Sequence, residues 1–131
     1  AFEARLSDPD MIRPELPMPV QKALEKMRLY FHTPIRVKDL ADMCGISSRR
    51  YSDIFKQRTG KTVVQYLNQK RVAYAQERLR ETGQIMYAAV AAGFSDATHF
   101  YRVFKRSTGV TPGQYVESSI EAKAKEAAPA S

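Results

Sequence analysis

The sequence contains an internal repeat, which restricts the chain to folds built from two similar units. The segment FKQRTGKT begins at Phe55, and the segment FKRSTGVT begins at Phe104. With the Gln and Tyr that follow each segment, seven residues recur at an offset of 49. Gly45 and Gly93 match upstream at an offset of 48, so the second unit contains one additional residue. A solenoid needs three or more repeats, so the presence of two copies argues against a solenoid fold.

The hydrophobic pattern between the two chain ends is helical. Apolar residues recur three or four positions apart, as at Val20, Leu24 and Met27, and no segment sustains a period of two. Pro34 and a series of glycines mark helix ends. We therefore predict an all-α fold of about seven helices, over about 20–32, 37–44, 47–58, 62–82, 85–92, 96–107 and from Thr111 onward.

Each unit has the order of a helix-turn-helix. A short helix, a turn containing Gly45 or Gly93, and a second helix follow one another. The glycine supplies the left-handed backbone conformation that a sharp turn needs. A long linker helix, 62–82, joins the units without Gly or Pro. Its length of about 31 Å is close to the ~34–36 Å between successive major grooves on one face of DNA.

The two chain ends differ from the helical region. Residues 1–19 contain four prolines, which disfavour a helix and indicate a linker. Residues 117–131 are predicted to be a flexible tail. The predicted domain therefore covers residues 20–116, with its units over about 20–61 and 83–116. Because the sequence begins with Ala1, we expect it to be part of a longer protein.

Positive charge is concentrated in the predicted domain. The chain carries a formal net charge of +7, but residues 1–19 carry −2 and residues 117–131 carry −1, so residues 20–116 carry +10. A basic domain of this kind attracts polyanions such as nucleic acids. Charge alone fits equally well a basic protein without a nucleic-acid role, so the distinction depends on where the charges lie.

The third predicted helix has a core face and a polar face. Tyr51, Ile54 and Phe55 fall on the core face by helical spacing. The second helix of a helix-turn-helix enters the major groove of DNA, so its polar face is a candidate reading surface. Arg49 is predicted to bind guanine, and Asp53 to accept a hydrogen bond from cytosine. The remaining candidates are Ser52 on the same face and the phosphate-binding cations Arg50 and Lys56.

The sixth predicted helix repeats this arrangement. Phe100, Val103 and Phe104 form its core face. The candidate DNA-binding residues on the other face are Thr98, Tyr101, Arg102 and Lys105. Arg102 is the strongest candidate for a base contact. His99, at the N-terminal end of the helix, is a secondary candidate, predicted to be an exposed histidine near a phosphate.

Taken together, the motifs resemble those of the AraC/XylS family of bacterial transcription regulators over about residues 20–116. The residues that carry the resemblance in the first unit are Leu40, Ala41, Gly45, Ile46, Ser47, Phe55, Lys56, Gly60, Tyr66, Leu67, Arg71, Ala75 and Leu79. In the second unit they are Ile85, Ala89, Gly93, Phe94, Ser95, Phe100, Arg102, Phe104, Lys105, Gly109, Val110, Thr111, Pro112 and Tyr115. Residues 16–27 resemble the branch of the family that has an amidotransferase-like sensor domain. Asp53 departs from the pattern, since the family often has Arg, Lys or Gln there.

The resemblance implies a sequence-specific transcription regulator whose two recognition helices read adjacent major grooves of an asymmetric promoter site. The implied partners are double-stranded DNA and RNA polymerase. A dimer is expected to form through an N-terminal domain that this sequence lacks. The expected location is the bacterial cytoplasm, associated with the nucleoid, and no membrane partner is expected.

Other functions fit the sequence less well. The two histidines, His32 and His99, stand in unrelated positions, and no phosphate-binding loop or zinc-protease motif is present, so we predict neither catalysis nor a cofactor or metal. Cys44 is the single cysteine and falls on an apolar stripe, where a core role is expected. RNA-binding modules usually present stacking aromatics on an open surface. Here most aromatic residues fall on core stripes, with Tyr101 as the exception. The remaining alternative is a non-specific or architectural DNA-binding protein.

Overall fold

A computed structural model of the chain describes residues 15–127. All regular secondary structure in this range is helical, in agreement with the predicted all-α fold. The helices are α1 (Met18–Tyr30), α2 (Val37–Cys44), α3 (Ser48–Thr59), α4 (Val63–Thr82), α5 (Ile85–Ala91), α6 (Ala97–Thr108) and α7 (Pro112–Ala127). The two helix-turn-helix pairs are α2 with α3 and α5 with α6.

The sequence repeat is also a repeat of hydrogen bonds. Helices α3 and α6 are capped by Gly60 and Gly109, whose φ angles are 79° and 85°. The N–H group of each glycine donates to a lysine carbonyl one turn earlier, at 2.8 Å in both cases. The hydroxyl of Thr59 donates to the Phe55 carbonyl at 2.8 Å, and that of Thr108 donates to the Phe104 carbonyl at the same distance. The two turns are therefore built from the same contacts.

The helices that follow these turns begin with identical caps. Thr62 and Gln65 exchange hydrogen bonds between side chain and backbone, at 2.9 and 3.1 Å. Thr111 and Gln114 make the same pair of bonds at the same distances. Each pair satisfies two N–H groups that the start of a helix leaves without partners. Both helices therefore begin with a capping box.

The chain divides into two compact units, and the division lies inside α4, between Leu67 and Asn68. Each unit has its own hydrophobic core. The first core contains Val20, Ala23, Leu24, Met27, Leu40, Ala41, Tyr51, Phe55, Val63, Tyr66 and Leu67. The second contains Val72, Ala75, Leu79, Ala88, Ala89, Ala92, Phe94, Phe100, Val103 and Phe104.

Helix α4 has a different role in each half. Its first residues, Val63, Tyr66 and Leu67, pack in the first core, whereas Val72, Ala75 and Leu79 pack in the second. At the offset of 49, the start of α4 corresponds to the start of α7, where Tyr115 also packs against the second core. One helix therefore contributes side chains to the cores of both units.

Both ends of the domain differ from the sequence prediction. Helix α1 begins at Met18, so Pro19 lies in its first turn, where the missing N–H group needs no partner. Helix α7 continues to Ala127, although a flexible tail was predicted from residue 117. Ala, Glu and Lys favour helix, and no Gly or Pro interrupts residues 114–127. The remaining predicted linker and tail, 1–14 and 128–131, lie outside the described residues.

Candidate nucleic-acid interface

Helix α3 is held in the first unit by its aromatic side chains. Tyr51 and Phe55 are completely buried, and the Phe55 ring meets Tyr66 edge-on at 5.8 Å between centroids. The Tyr51 hydroxyl donates to the carbonyl of Pro19 at 2.6 Å. Burial raises the pKa of this phenol above its ordinary value, so the hydroxyl remains a donor. The buried face of α3 is thereby fixed to the first turn of α1.

The opposite side of α3 carries most of the first unit's predicted site. Arg49, Arg50, Asp53 and Lys56 are exposed, and Ser52 is half-buried. Among the described residues, Asp53 has no ion-pair partner. Arg49, Arg50 and Asp53 share the lining of an open depression of about 300 Å³. An unpaired carboxylate therefore lies beside two arginines on a surface open to solvent.

Helix α6 is held in the same way in the second unit. Phe100 and Phe104 are completely buried, and their ring centroids are 5.6 Å apart. Phe104 also meets Tyr115 at 5.6 Å, which repeats the contact between Phe55 and Tyr66. A carboxylate oxygen of Asp96 accepts from the N–H of Thr98 at 2.8 Å and caps the helix. The sequence predicts that this helix begins at Asp96; in the structure Asp96 is the N-cap and the helix begins at Ala97.

Four of the five candidate residues of α6 are exposed: Thr98, Tyr101, Arg102 and Lys105. His99 differs from its prediction because it is half-buried, with its ring 5.8 Å from that of Phe94. The guanidinium of Arg71 lies 5.9 Å from the centroid of the same Phe94 ring. Burial lowers the pKa of Arg71 below its ordinary value. The sequence did not indicate this cluster of Arg71, Phe94 and His99, because its members lie in three separate elements.

The two exposed faces are similar in their cations and different in their central residues. At the offset of 49, Lys56 corresponds to Lys105, and both are exposed. Asp53 corresponds to Arg102, so matching positions carry opposite charges. Both faces present cationic groups to solvent, which is the arrangement that phosphate contacts require.

Three further observations concern residues 15–127. Within that range no group of three or more His, Cys, Asp or Glu side chains could hold a metal ion. No helix there is long and apolar enough to cross a membrane. Cys44 is half-buried and packs against the first core, so it is less buried than the core role predicted for it.

Comparison with known proteins gives consistent matches. A family model described as a helix-turn-helix domain matches residues 40–118. The transcriptional activator RhaR of Escherichia coli K12 is 32% identical over 97 residues, which are 73% of this chain and 34% of RhaR. The chain thus spans about a third of the length of the curated relatives it matches.

Solved structures agree with the sequence match. The C-terminal domain of AraT, a response regulator from Geobacillus stearothermophilus, has a TM-score of 0.73 and 25% identity, covering 79% of this chain and 88% of that one. The DNA-binding domain of the global transcriptional factor AdpA, solved in complex with a target DNA, has a TM-score of 0.71 and 25% identity, covering 82% and 97%. On the combined evidence of repeat, fold and sequence, the chain belongs to the AraC/XylS family of helix-turn-helix transcription regulators.

Proposed function

We propose that this chain binds double-stranded DNA in a sequence-specific manner and is the DNA-binding part of a transcription regulator. The observation that carries the proposal is the pair of helices α3 and α6, which bury aromatic side chains and expose cationic faces at equivalent positions. The similarity to RhaR and to the DNA complex of AdpA supports the same conclusion. Contact with RNA polymerase, and dimerisation through a domain outside this sequence, are proposed from family membership alone.

Within this proposal, the residues on each helix divide into two groups. Arg49 and Arg102 read guanine, because a guanidinium can bond to the O6 and N7 atoms of that base together. Lys56, Lys105 and Arg50 bind phosphates and position the helices without reading sequence. Residues of both groups are exposed, as these roles require. Ser52, Thr98 and Tyr101 contribute shorter contacts to bases or phosphates, and His99 is a secondary candidate.

The first test measures how DNA affinity depends on salt. Each phosphate contact adds about −0.9 to the slope of log K against log salt. We expect a steep slope for the chain, and a slope shallower by about one unit for each of Lys56→Gln and Lys105→Gln. Lys26→Gln is the matched control, since Lys26 lies on α1 beside Tyr30. A slope near zero for the unmodified chain would contradict binding through phosphate contacts.

The second test asks whether both helices read one duplex. In the proposal, α3 and α6 occupy adjacent major grooves, and α4 joins the two units as one uninterrupted helix. Inserting about 5 bp between the two half-sites turns them to opposite faces of the DNA. We expect affinity to fall at least tenfold, and an insertion of about 10.5 bp to cost as much, because the uninterrupted α4 matches one groove spacing and cannot reach a site one full turn farther along the DNA. Unchanged affinity with 5 bp would mean that only one helix is engaged.

Sequence specificity has its own test, because an architectural protein would satisfy the salt experiment equally well. Sites are selected from random duplexes and then compared with scrambled duplexes of the same composition. Specific binders usually prefer their sites by a factor on the order of 10³ or more. Equal affinity for selected and scrambled duplexes would favour the architectural alternative.

A further inference from the structure

Helix α5 exposes an apolar face that its counterpart in the first unit does not have. Met86, Tyr87 and Val90 are exposed by 55%, 50% and 67%, respectively. They stand at i, i+1 and i+4 of the helix, so they lie together on its solvent side. We call these three residues the α5 patch. Its opposite side is buried in the second core through Ala88 and Ala89.

The internal repeat provides a control for the α5 patch. At the offset of 48, buried Ala88 and Ala89 correspond to buried Leu40 and Ala41, so α2 and α5 are aligned by their core faces. The three patch residues then correspond to Lys38, Asp39 and Asp42, all of which are exposed. Lys38 and Asp42 form an ion pair at 3.0 Å. A charged surface is thus compatible with this helix, and the fold does not require an apolar one.

The charges around the α5 patch limit what can cover it. No charged residue occurs between Thr82 and Ser95, in a chain whose net charge is +7. Affinity for nucleic acids comes mainly from Lys and Arg on phosphates, and this segment has neither, so a nucleic acid fits this face poorly. A membrane surface is normally bound by longer amphipathic helices rich in Lys and Arg, whereas α5 has seven residues and neither cation. The remaining occupant is an uncharged, apolar protein surface.

We propose that the α5 patch binds the α5 patch of a second copy of this chain, when two copies occupy neighbouring sites on one DNA. A twofold contact pairs a surface with itself, so an uncharged apolar surface meets its own complement without juxtaposing like charges. The inference rests on the proposed function, because the DNA brings the two copies together.

The size of the α5 patch explains why DNA is needed. Three side chains offer a few hundred Å² at most, whereas a stable interface buries about 800 Å² from each partner. Two free copies, each with a net charge of +7, also repel one another. On DNA the phosphates offset this charge, and holding both copies on one duplex gives an effective concentration in the millimolar range. The contact therefore contributes cooperativity rather than a dimer in solution.

The experiment compares duplexes that carry one selected site with duplexes that carry two. A twofold contact needs the two sites in inverted orientation, so they are placed as inverted repeats in both possible arrangements. Their spacing is varied in single base pairs over one helical turn, so that all relative faces are sampled. We expect about tenfold tighter binding of the second copy at one favoured spacing. Sedimentation of the unmodified chain without DNA should show a monomer at micromolar concentration.

The variant M86K/Y87D/V90D gives the α5 patch the residues that α2 already carries. It is expected to keep its helical content and its single-site affinity, because α2 folds with these residues. The Lys introduced at position 86 can pair with the Asp introduced at position 90, as Lys38 pairs with Asp42. Its cooperativity should be lost. Ile120→Asp is the control, since Ile120 is an exposed apolar residue elsewhere and the net charge changes by the same amount.

Each outcome has a definite meaning. Independent binding at every spacing by the unmodified chain would overturn the self-contact and would leave an unlike protein as the occupant. Cooperativity that survives in M86K/Y87D/V90D would also overturn it, because the copies would then touch elsewhere. Failure of the proposed function appears separately, as a lack of preference for the selected site on single-site duplexes.

Discussion

Phe104→Ala should lower the free energy of unfolding of the second unit by about 3–5 kcal/mol, the usual cost of removing a buried phenyl ring. Phe104 is completely buried, and its ring packs against those of Phe100 and Tyr115 at 5.6 Å. The second core is otherwise rich in alanine, which leaves few large side chains to fill the cavity. Urea denaturation followed by circular dichroism would measure the change.

The control for this prediction lies on the same helix. Tyr101 is 40% exposed, so Tyr101→Ala should change stability by less than about 1 kcal/mol. Hydrogen exchange would show whether the loss of protection is confined to residues 68–127. If Phe104→Ala and Tyr101→Ala unfolded at the same urea concentration, the assignment of Phe104 to a tightly packed core would be wrong.

Arg102→Ala should weaken binding to the selected DNA site by about 1–3 kcal/mol and relax the preference at one base pair. Arg102 is exposed on α6, where a bidentate contact to guanine is proposed. The loss should be much smaller on scrambled DNA, since a base contact contributes little to non-specific binding. Equal losses on both duplexes would indicate a phosphate contact instead.

Asp53→Ala is the informative comparison with Arg102→Ala. Asp53 is exposed at the equivalent position of α3, and among the described residues it has no ion-pair partner. Removing this carboxylate relieves repulsion from phosphates, so binding to scrambled DNA should stay the same or tighten. Discrimination at one base pair should be lost. Weaker binding to both duplexes would instead assign Asp53 a structural role.

The opposite charges of Asp53 and Arg102 also predict whether the base sequence of the DNA site is symmetric. Two helices with different reading residues do not prefer the same bases, so one chain should select a site without a palindrome. The sites selected from random duplexes provide this measurement directly. A palindrome within the stretch that one chain covers would mean that the two helices prefer the same bases, and would contradict this prediction.

Much of the fold could be predicted because local signals in the sequence coincide with the helix ends. Gly45, Gly60 and Gly109 adopt the left-handed conformation expected at the ends of α2, α3 and α6. The capping boxes are sequence patterns that span only four residues. The core faces of α3 and α6 follow from helical spacing, and the expected aromatic residues are buried there.

Features that depend on contacts between distant residues could not be predicted. The bond from Tyr51 to Pro19 joins residues 32 positions apart. The same holds for His99, whose partial burial depends on Phe94 in the preceding turn and on a ring orientation that spacing does not reveal. The prolines of residues 1–19 indicate a linker, but the effect of a proline on a helix depends on whether it falls before, within or after the first turn.

The shared helix α4 determines how the two units could be exchanged between relatives. Gly83 is the obvious joint in the sequence, because it has a positive φ and separates α4 from α5. A chimaera joined there would give the second unit foreign residues in place of Val72, Ala75 and Leu79, which form one wall of its core. The recombination point that respects both cores lies instead between Leu67 and Val72, in the middle of a continuous helix, where no loop marks it.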